Sequence, residues 1–409
     1  MTDTKVPSTP DPGVEVAGRP SYGRLTSGEQ ALVAAAADLV PLLRDNADRA
    51  DRDRKLPEEN IAALRDAGLL RLSVPAAYGG HAAGMRTLLA VLEEVGRGCA
   101  STAWVLSIFY SGGVFAGLLG DPVRQRIWAG NPDTTLCGVI GVPVPVRTVE
   151  GGLVLDGQWG WASGLHHADW IGLDVVTERD GAPERGVALL PTAELSTRDT
   201  WHMAGMRGTG SDSVVAEEVF VPEEQFLSFA RSATGAYRRG GEDEALTRTP
   251  FPEGLMVPFI GSLLGMGRAV YEQIVEKLRA GRPVVSAASL HARAVDAPGV
   301  QANVADAATL IDSAVLQAGR AADDIDRAAV TGAALTPVVQ ARLRVDISYA
   351  ARQIRQAVDL LLDVGGASRF DLSSPVQRIW RDVGTASRHP AFTAEINRER
   401  YSRLLLGLD

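Results

Sequence analysis

Hydrophobic side chains recur every three to four positions over the first part of the chain. Leu32, Leu39 and Leu43 fall on one face when the sequence is drawn as a helix, which is the spacing of an amphipathic α-helix. "PEENIAALRDAGLLRL" predicts a second helix, because proline suits a first helical turn and glycine suits a helix end. Further runs of this kind follow, so the pattern predicts an all-helical region over residues 27–130.

The pattern changes after residue 130. Short β-branched or alternating runs recur between turn dipeptides such as Asp156-Gly157, which indicates strands. We therefore predict a small β-barrel or sandwich over residues 131–230. A polar, glycine-rich stretch, 231–253, predicts a linker loop, and a loop of this length is often functional. Long alanine-rich helical periods over 254–409 predict a four-helix bundle.

This order of elements indicates an α+β fold with a β-domain between two helical domains. Residues 1–26 are rich in proline and polar side chains and predict a disordered tail. They lack the apolar core of a signal peptide, and we expect no membrane span. The net charge of −9 argues against a nucleic-acid partner. Cys99 and Cys137 are too few for a disulfide framework and indicate buried thiols in a reducing compartment, so we expect a cytoplasmic protein.

A glycine-rich stretch, Arg207 to Ser211 ("RGTGS"), lies inside the predicted β-domain. Strand residues follow it where a nucleotide-binding motif would have a helix, which excludes the Rossmann and P-loop interpretations. Its backbone N–H groups, hydroxyls and guanidinium could still hold an anionic group. The alternative is a plain hairpin connection in which Gly208 and Gly210 supply positive φ angles.

Five motifs occur in order along residues 28–408: "YGGHAAG", "VGRGCASTAWVLSI", "WGWASGLHHADW", "MRGTGSDSVVAEEVFVP" and "SPVQRIWRDV". This succession resembles the acyl-CoA dehydrogenase superfamily. The resemblance implies an N-terminal helical domain, a central β-domain and a C-terminal four-helix bundle, with flavin between the β-domain and the bundle. It also implies a homotetramer built on the bundle, with a dimer as the alternative.

Within that superfamily, the motifs are most similar to those of the two-component flavin-dependent monooxygenases. The resemblance implies an oxygenase component that receives reduced flavin, FMNH2 first and FAD as the alternative, from a separate NAD(P)H-dependent flavin reductase. Such enzymes use O2 through a C4a-hydroperoxyflavin to hydroxylate a small or medium organic substrate. An aromatic substrate such as a phenol or indole is our first choice, and N-hydroxylation of an amine is the second. Gly384 stands where many relatives have a histidine, which leaves the substrate type open.

A dehydrogenase is the alternative within the same superfamily. Acyl-CoA dehydrogenases with bound FAD use a glutamate base in a Tyr-Glu-Gly-Thr motif, and Pro390 stands at that position here. Glu272 and Glu276, on the first long helix of the bundle, could supply the base instead. A third alternative is a protein that keeps the fold without flavin, against which the retained motifs argue.

The resemblance also assigns roles to individual residues. Ser163 and His389 are the catalytic candidates, with Ser163 beside flavin N5. His389 could take a proton from a phenol near neutral pH or hydrogen-bond the distal flavin oxygen. His389 and Tyr110 are the predicted substrate-binding residues, whereas Trp104 is expected in the core. The predicted cofactor-binding residues are Trp161, Ser163, Gly164, Arg207, Thr209, Ser211 and Arg282.

Each assignment has a structural alternative. Ser163 could merely close a turn, His389 could cap a helix, and Arg282 could be a surface residue. The neighbouring His166 and His167 either reach the site or satisfy a buried acceptor. Arg381 and Asp382 could form an ordinary ion pair with each other.

Overall fold

The computed structural model describes residues 25–179, 181–239, 242–281, 283 and 289–408. Most of the predicted tail and Arg282 lie outside the described residues. The described chain has a helical region, a sheet region and a second helical region in that order, so the predicted fold class is confirmed.

Six helices form the first region. The first begins where Thr26 accepts a hydrogen bond from the Glu29 backbone N–H at 3.3 Å while the Glu29 carboxylate accepts one from the Thr26 N–H at 2.8 Å, a capping box. The helices are α1 (Ser27–Asp38), α2 (Val40–Asp53), α3 (Glu58–Asp66), α4 (Met85–Gly98), α5 (Ala100–Gly117) and α6 (Asp121–Trp128). Helix α5 is buried around nearly its whole circumference, so it is the central helix of this region.

Among the described residues of the middle region, eight strands form two four-stranded sheets. The strands are β1 (Leu136–Pro145), β2 (Arg147–Val149), β3 (Gly152–Trp159), β4 (Trp170–Arg179), β5 (Ala182–Pro191), β6 (Ser196–Arg198), β7 (Ser213–Pro222) and β8 (Phe226–Ser228). One sheet has the order β1-β4-β5-β8 and the other the order β2-β3-β7-β6. Only the β1–β4 pair is parallel among the described strands. The long connections at the ends of β3 and β6 carry the candidate site.

In the described part of the last region there are three long helices and two shorter ones. They are α8 (Glu253–Arg279), α9 (Pro298–Thr331), α10 (Pro337–Gly365), α11 (Pro375–Ala386) and α12 (Ala394–Leu406). Helix α8 packs closely on α4, because a Cβ on Gly265 would lie only 2.2 Å from the Glu93 carbonyl oxygen. Among the described helices, α8 alone has the length and apolar content of a membrane span, and 83% of its apolar window is buried inside the protein. The buried core helix of a folded protein can have the same length and apolar content.

The stretch predicted as a linker loop contains short helices. Helix α7 (Phe229–Ala233) ends inside it, and a 3-10 helix covers Glu242–Arg248. Leu246 and Thr247 are buried, so part of this segment belongs to the core. Polar composition alone could not show this, since a few buried side chains suffice to fix a short helix.

Candidate functional site

Two loops at the ends of the sheet strands are hydrogen-bonded to each other. The backbone N–H of Gly164 donates to the Thr209 carbonyl at 2.9 Å, and the N–H of Ala162 donates to the Asp212 carbonyl at 3.0 Å. Gly164 has φ +79°, and a Cβ there would lie 3.0 Å from side-chain atoms of Val105 and Phe109 on α5. The loops that carry most of the predicted cofactor residues therefore form one unit, which lies against α5.

Three hydroxyl groups lie end to end inside this unit. Ser163 Oγ is 2.7 Å from Ser211 Oγ, and Ser211 Oγ is 2.7 Å from Thr209 Oγ1. Thr209 Oγ1 donates in turn to the Met206 carbonyl at 2.8 Å. Thr209 and Ser211 are buried, while Ser163 is half-buried at the end of the row. The structure thus brings together Ser163, Thr209 and Ser211, three of the residues predicted to bind the cofactor.

Trp161 lies beside these hydroxyls with its indole ring exposed. Its φ is +71°, which is unusual and unfavourable for a large side chain, and 66% of the residue is exposed. Its ring meets that of Trp201 edge to face at a centroid distance of 5.4 Å. An exposed aromatic ring held in a strained conformation is a suitable surface for a planar ligand.

Arg207 turns away from these hydroxyls toward α2. Its Nε donates to the Asp51 carbonyl at 2.9 Å and lies 3.7 Å from the Asp51 carboxylate. Its Nη1 reaches the Met203 carbonyl at 3.4 Å. Against the sequence-based expectation of a cofactor contact, the guanidinium holds the loop on the N-terminal region. The hydrogen bond to Asp51 joins residues far apart in the chain, so no local sequence pattern predicts it.

Asp382 and Arg381 join the same loop to α11. Asp382 Oδ1 accepts a hydrogen bond from the Met206 N–H at 2.5 Å. Arg381 donates to the Ala204 carbonyl and pairs with Asp51 at 3.1 Å. The ion pair expected between Arg381 and Asp382 is therefore replaced by separate contacts of each with other partners. The loop is held by both helical regions at once.

Asp382 carries an unusually basic carboxyl group. It is only 4% exposed, and this burial raises its pKa to about 7, with the nearby Asp51 carboxylate adding to the rise. The Met206 N–H and the charges of Arg381 and Arg378 oppose the rise without cancelling it. The anchor of the loop on α11 is thus a group that changes charge near neutral pH.

His389 lies in a cage of aromatic rings. Its ring centroid is 5.3 Å from that of Trp104 on α5, 5.2 Å from that of Phe259 on α8 and 6.3 Å from that of Phe392. Burial among these rings lowers the pKa of His389 to about 4. The sequence-based expectation of proton exchange near neutral pH is therefore corrected, because an apolar surrounding disfavours the charged imidazolium. Trp104 is buried as expected, but it also forms a wall of this cage.

The hydrogen bonds of His389 fix which ring nitrogen carries the proton. The Ala391 backbone N–H donates to His389 Nδ1 at 3.2 Å, so Nδ1 is an acceptor and the proton of the neutral ring is on Nε2. Asn397 holds the same turn, since its Nδ2 donates to Ser348 Oγ on α10 at 2.6 Å and to the Ala391 carbonyl at 3.4 Å. His389 thus presents a neutral N–H donor from a turn fixed on the C-terminal helices.

Three other predicted or considered residues are occupied elsewhere. Tyr110 is fully buried, and its hydroxyl donates to the Leu69 carbonyl at 2.9 Å; the structure does not bring it to the site. His166 Nε2 lies 2.8 Å from Asp212 Oδ2, and His167 Nε2 lies 3.0 Å from the Leu56 carbonyl. Both histidines satisfy acceptors of the surrounding structure, the second of the alternatives left open by the sequence.

The glutamates considered as dehydrogenase bases do not face this site. The Glu272 carboxylate lies 3.0 Å from Arg97 Nη2 and 3.2 Å from Arg268 Nε at the contact of α8 with α4. Glu276 is exposed on the same helix. Among the described residues, no three His, Cys, Asp or Glu side chains are grouped to hold a metal ion.

Comparison with known proteins gives the family. Residues 26–119 match the acyl-CoA dehydrogenase N-terminal domain and residues 259–394 the acyl-CoA dehydrogenase C-terminal domain. The chain is 31% identical over 371 residues to the flavin-dependent monooxygenase oxygenase subunit HsaA of Mycobacterium tuberculosis, covering 88% of this chain and 92% of that protein. The chain belongs to the flavin-dependent monooxygenases of the acyl-CoA dehydrogenase superfamily.

Other relatives agree with this assignment. The oxygenase component of the FADH2-dependent resorcinol hydroxylase of Rhizobium sp. is 29% identical to this monooxygenase over 92% of the chain and 94% of the relative. The structure of XiaF from Streptomyces sp. in complex with FADH2 and glycerol superimposes with a TM-score of 0.88 at 31% identity, covering 93% of this chain and 96% of that one. These relatives support the monooxygenase interpretation over the dehydrogenase alternative.

The residues of this monooxygenase fit a bound flavin. Trp161 offers an exposed ring surface. Ser163 Oγ has one protein partner among the described residues, Ser211, and so retains hydrogen-bonding capacity at the half-buried end of the row. The close contact of the Gly164 backbone with α5 leaves no room there for a side chain. Trp161, Ser163 and Gly164 would therefore hold the flavin edge.

Sequence reasoning missed the residues that position the monooxygenase site. Phe259 and Phe392 complete the cage of His389, while Asn397 fixes its turn. The apolar side chains carry no signal that separates a cage from a core. Asn397 is buried on α12, where an amide usually has a hydrogen-bonding partner, but the sequence alone does not show this burial.

Proposed function

We propose that this monooxygenase is the oxygenase component of a two-component system that hydroxylates a small aromatic substrate. The observation that carries the proposal is the cage of Trp104, Phe259 and Phe392 around the neutral His389. Aromatic walls favour a flat ring, and a single fixed N–H favours a polar group on that ring. N-hydroxylation of an amine is the second candidate, as the sequence suggests.

The names of relatives support an aromatic substrate. They include hydroxylases of resorcinol and p-hydroxyphenylacetate and a monooxygenase of indole-3-acetate. All three names describe aromatic rings, two with phenolic hydroxyl groups and one with an indole. A phenol is therefore our first choice, and the hydroxyl-bearing ring would lie against the His389 Nε2–H.

His389 acts in this proposal as a hydrogen-bond donor rather than as a base. With Nδ1 occupied by the Ala391 N–H and a pKa of about 4, the neutral ring has only Nε2–H to offer. That N–H can hold an oxygen atom of the substrate or of the oxygen-carrying cofactor in place. The three aromatic rings also shield the imidazole from part of the solvent, which strengthens such a hydrogen bond.

The cofactor is a reduced flavin supplied by a separate NAD(P)H-dependent reductase. When bound, a reduced flavin would supply the electrons that activate O2 for transfer of one of its oxygen atoms to the substrate. The family resemblance favours FMNH2, but the names of two relatives specify FADH2, so we propose FADH2 first and FMNH2 second. The description of relatives as oxygenase components supports the separate reductase.

We also propose that the protein is a cytoplasmic homotetramer, as its superfamily resemblance implies. Ile396, Leu405 and Leu406 on α12 are exposed apolar side chains in the single chain, which favours a further contact between copies. The buried free thiols of Cys99 and Cys137 suit a reducing compartment. Light scattering with Leu405→Glu as the variant tests the assembly; a monomeric wild type would contradict it.

Single-turnover experiments test the catalytic proposal. The protein is mixed anaerobically with FADH2 or FMNH2, and O2 is then added with a panel of phenols, indoles and amines. We expect one oxygen atom from ¹⁸O2 in a phenolic product and hydrogen peroxide when substrate is omitted. Desaturation of an acyl-CoA without oxygen incorporation would contradict the proposal and support the dehydrogenase alternative.

A further inference from the structure

The direction of every hydrogen bond in the row of hydroxyls follows from its buried end. The Met206 carbonyl can only accept, so Thr209 Oγ1 must donate its single proton to it at 2.8 Å. Thr209 Oγ1 can then only accept from Ser211 Oγ, at 2.7 Å. Ser211 has in turn used its proton, so it accepts from Ser163 Oγ at 2.7 Å. Each hydroxyl has one proton, and this fixes the order.

Ser163 therefore ends the row with its proton directed inward. Its Oγ has lone pairs left but no proton for an outside partner. Ser211 is 2% exposed and Thr209 is 3% exposed, so solvent does not compete for the inner hydrogen bonds. The half-buried Ser163 hydroxyl is consequently an acceptor toward the cofactor side of the loop.

The two redox states of flavin make opposite demands at N5. Reduced flavin carries a hydrogen on N5 and donates, whereas oxidised flavin has a bare N5 that accepts. An acceptor facing the bare N5 would leave two lone pairs opposed and both groups without a partner, which is unfavourable in a buried site.

We propose that Thr209 and Ser211 are positioning residues that fix Ser163 as a hydrogen-bond acceptor and thereby make the site select reduced over oxidised flavin. The inference rests on the proposed function, since it takes Ser163 to lie beside N5. It assigns Thr209 and Ser211 a role without cofactor contact: they act through Ser163. Selection of reduced flavin suits a protein that receives it from a separate reductase and must release the oxidised form.

Thr209→Val gives the sharpest test, because it keeps both serines and removes the proton acceptor of Ser211. Ser211 can then donate to Ser163, and Ser163 becomes free to donate outward. Thr209→Ser restores the hydroxyl and should restore the wild-type behaviour. Thr134→Val is the matched control, since Thr134 is also buried and its Oγ1 also donates to a carbonyl three residues back, that of Asn131, at 2.8 Å.

The measurement is the ratio of dissociation constants for oxidised and reduced flavin, by anaerobic titration of the whole protein with FAD and FMN. We expect wild type, Thr209→Ser and Thr134→Val to prefer reduced flavin. In Thr209→Val the preference should fall by roughly tenfold, the effect of about one hydrogen bond. The midpoint potential of the bound flavin should fall with it, by about 30 mV for a two-electron couple.

Ser211→Ala provides an independent variant. It removes the acceptor of the Ser163 proton and should lower the preference in the same direction. If both variants keep the ratio of Thr134→Val, or if wild type binds oxidised flavin at least as tightly as reduced flavin, the inference is overturned while hydroxylation can still be observed. If wild type binds no reduced flavin, the proposed function fails together with it.

Discussion

Asp382→Asn is expected to make the protein more heat-stable in mild alkali than the wild type. Asp382 is buried with its Oδ1 2.5 Å from the Met206 N–H, and its pKa rises from 3.8 to about 7 in the folded protein. A carboxyl group with a raised folded-state pKa stabilises the fold below the unfolded pKa, where it is protonated in both states. That stability is lost as the pH rises from about 4 through about 7. Asparagine keeps an acceptor for Met206 and never acquires the charge.

The size of the stability difference follows from the shift in the pKa of Asp382. Three pKa units correspond to about 4 kcal/mol of differential stability, an upper value for this single group. In a chain of 409 residues, 4 kcal/mol corresponds to a Tm difference of about 5 °C. The variant should therefore exceed the wild type by a few degrees at about pH 8, and the two should converge toward about pH 5.

Thermal unfolding of both proteins across this pH range measures the difference. Asp66→Asn, at an exposed site at the end of α3, is the matched control for the same substitution outside the core. A difference between Asp382→Asn and wild type that is constant with pH would refute the reasoning. So would a variant less stable than wild type at about pH 8.

Three further predictions test other parts of the structure. The pH profile of hydroxylation should show no ionisation of His389 near its ordinary pKa, because burial lowers it to about 4; His389→Phe should lose about 100-fold in kcat, while His389→Gln, which keeps an N–H donor, should lose less, and equal losses would contradict the donor role. Gly205→Ala places a Cβ 2.1 Å from the Arg381 carbonyl oxygen and should cost about 1–3 kcal/mol in thermal unfolding, whereas Gly117→Ala, with open space around it, should be nearly neutral. Glu272→Gln should leave hydroxylation within about twofold and lower Tm slightly through the lost ion pairs; loss of all flavin-linked activity would revive the dehydrogenase alternative.

The succession of elements could be predicted from the sequence because it depends on local patterns. Apolar periodicity marked the helices on both sides, and turn dipeptides between β-branched runs marked the sheets. Burial within the segment 231–253 could not be predicted, since its polar composition gives no sign that Leu246 and Thr247 are buried. Burial of single side chains depends on which distant element covers them.

The site residues also differ in whether a local sequence pattern identifies them or only their contacts with distant elements do. Ser163, Thr209 and Ser211 lie in motifs whose backbone forms one unit, so a pattern in the sequence could find them. Tyr110 shows the limit. It lies on α5, which is apolar nearly all round, and six positions after Trp104 the helix has turned through about 240°. Trp104 therefore meets His389 while Tyr110 meets Leu69, and no periodicity in an apolar helix distinguishes the two faces.

Helix α5 lies against both parts of the proposed site, the turn that carries His389 and the loop that carries Gly164. The Trp104 ring lies 5.3 Å from the His389 ring, centroid to centroid, and a Cβ on Gly164 would lie 3.0 Å from side-chain atoms of Val105 and Phe109. In the proposed reaction, this one helix would therefore set the separation between the His389 N–H and the flavin. A residue inserted between Trp104 and Phe109 would rotate the position of one around the helix relative to the other by about 100°. Substitutions on the other elements of the proposed site could then alter the substrate without altering this separation.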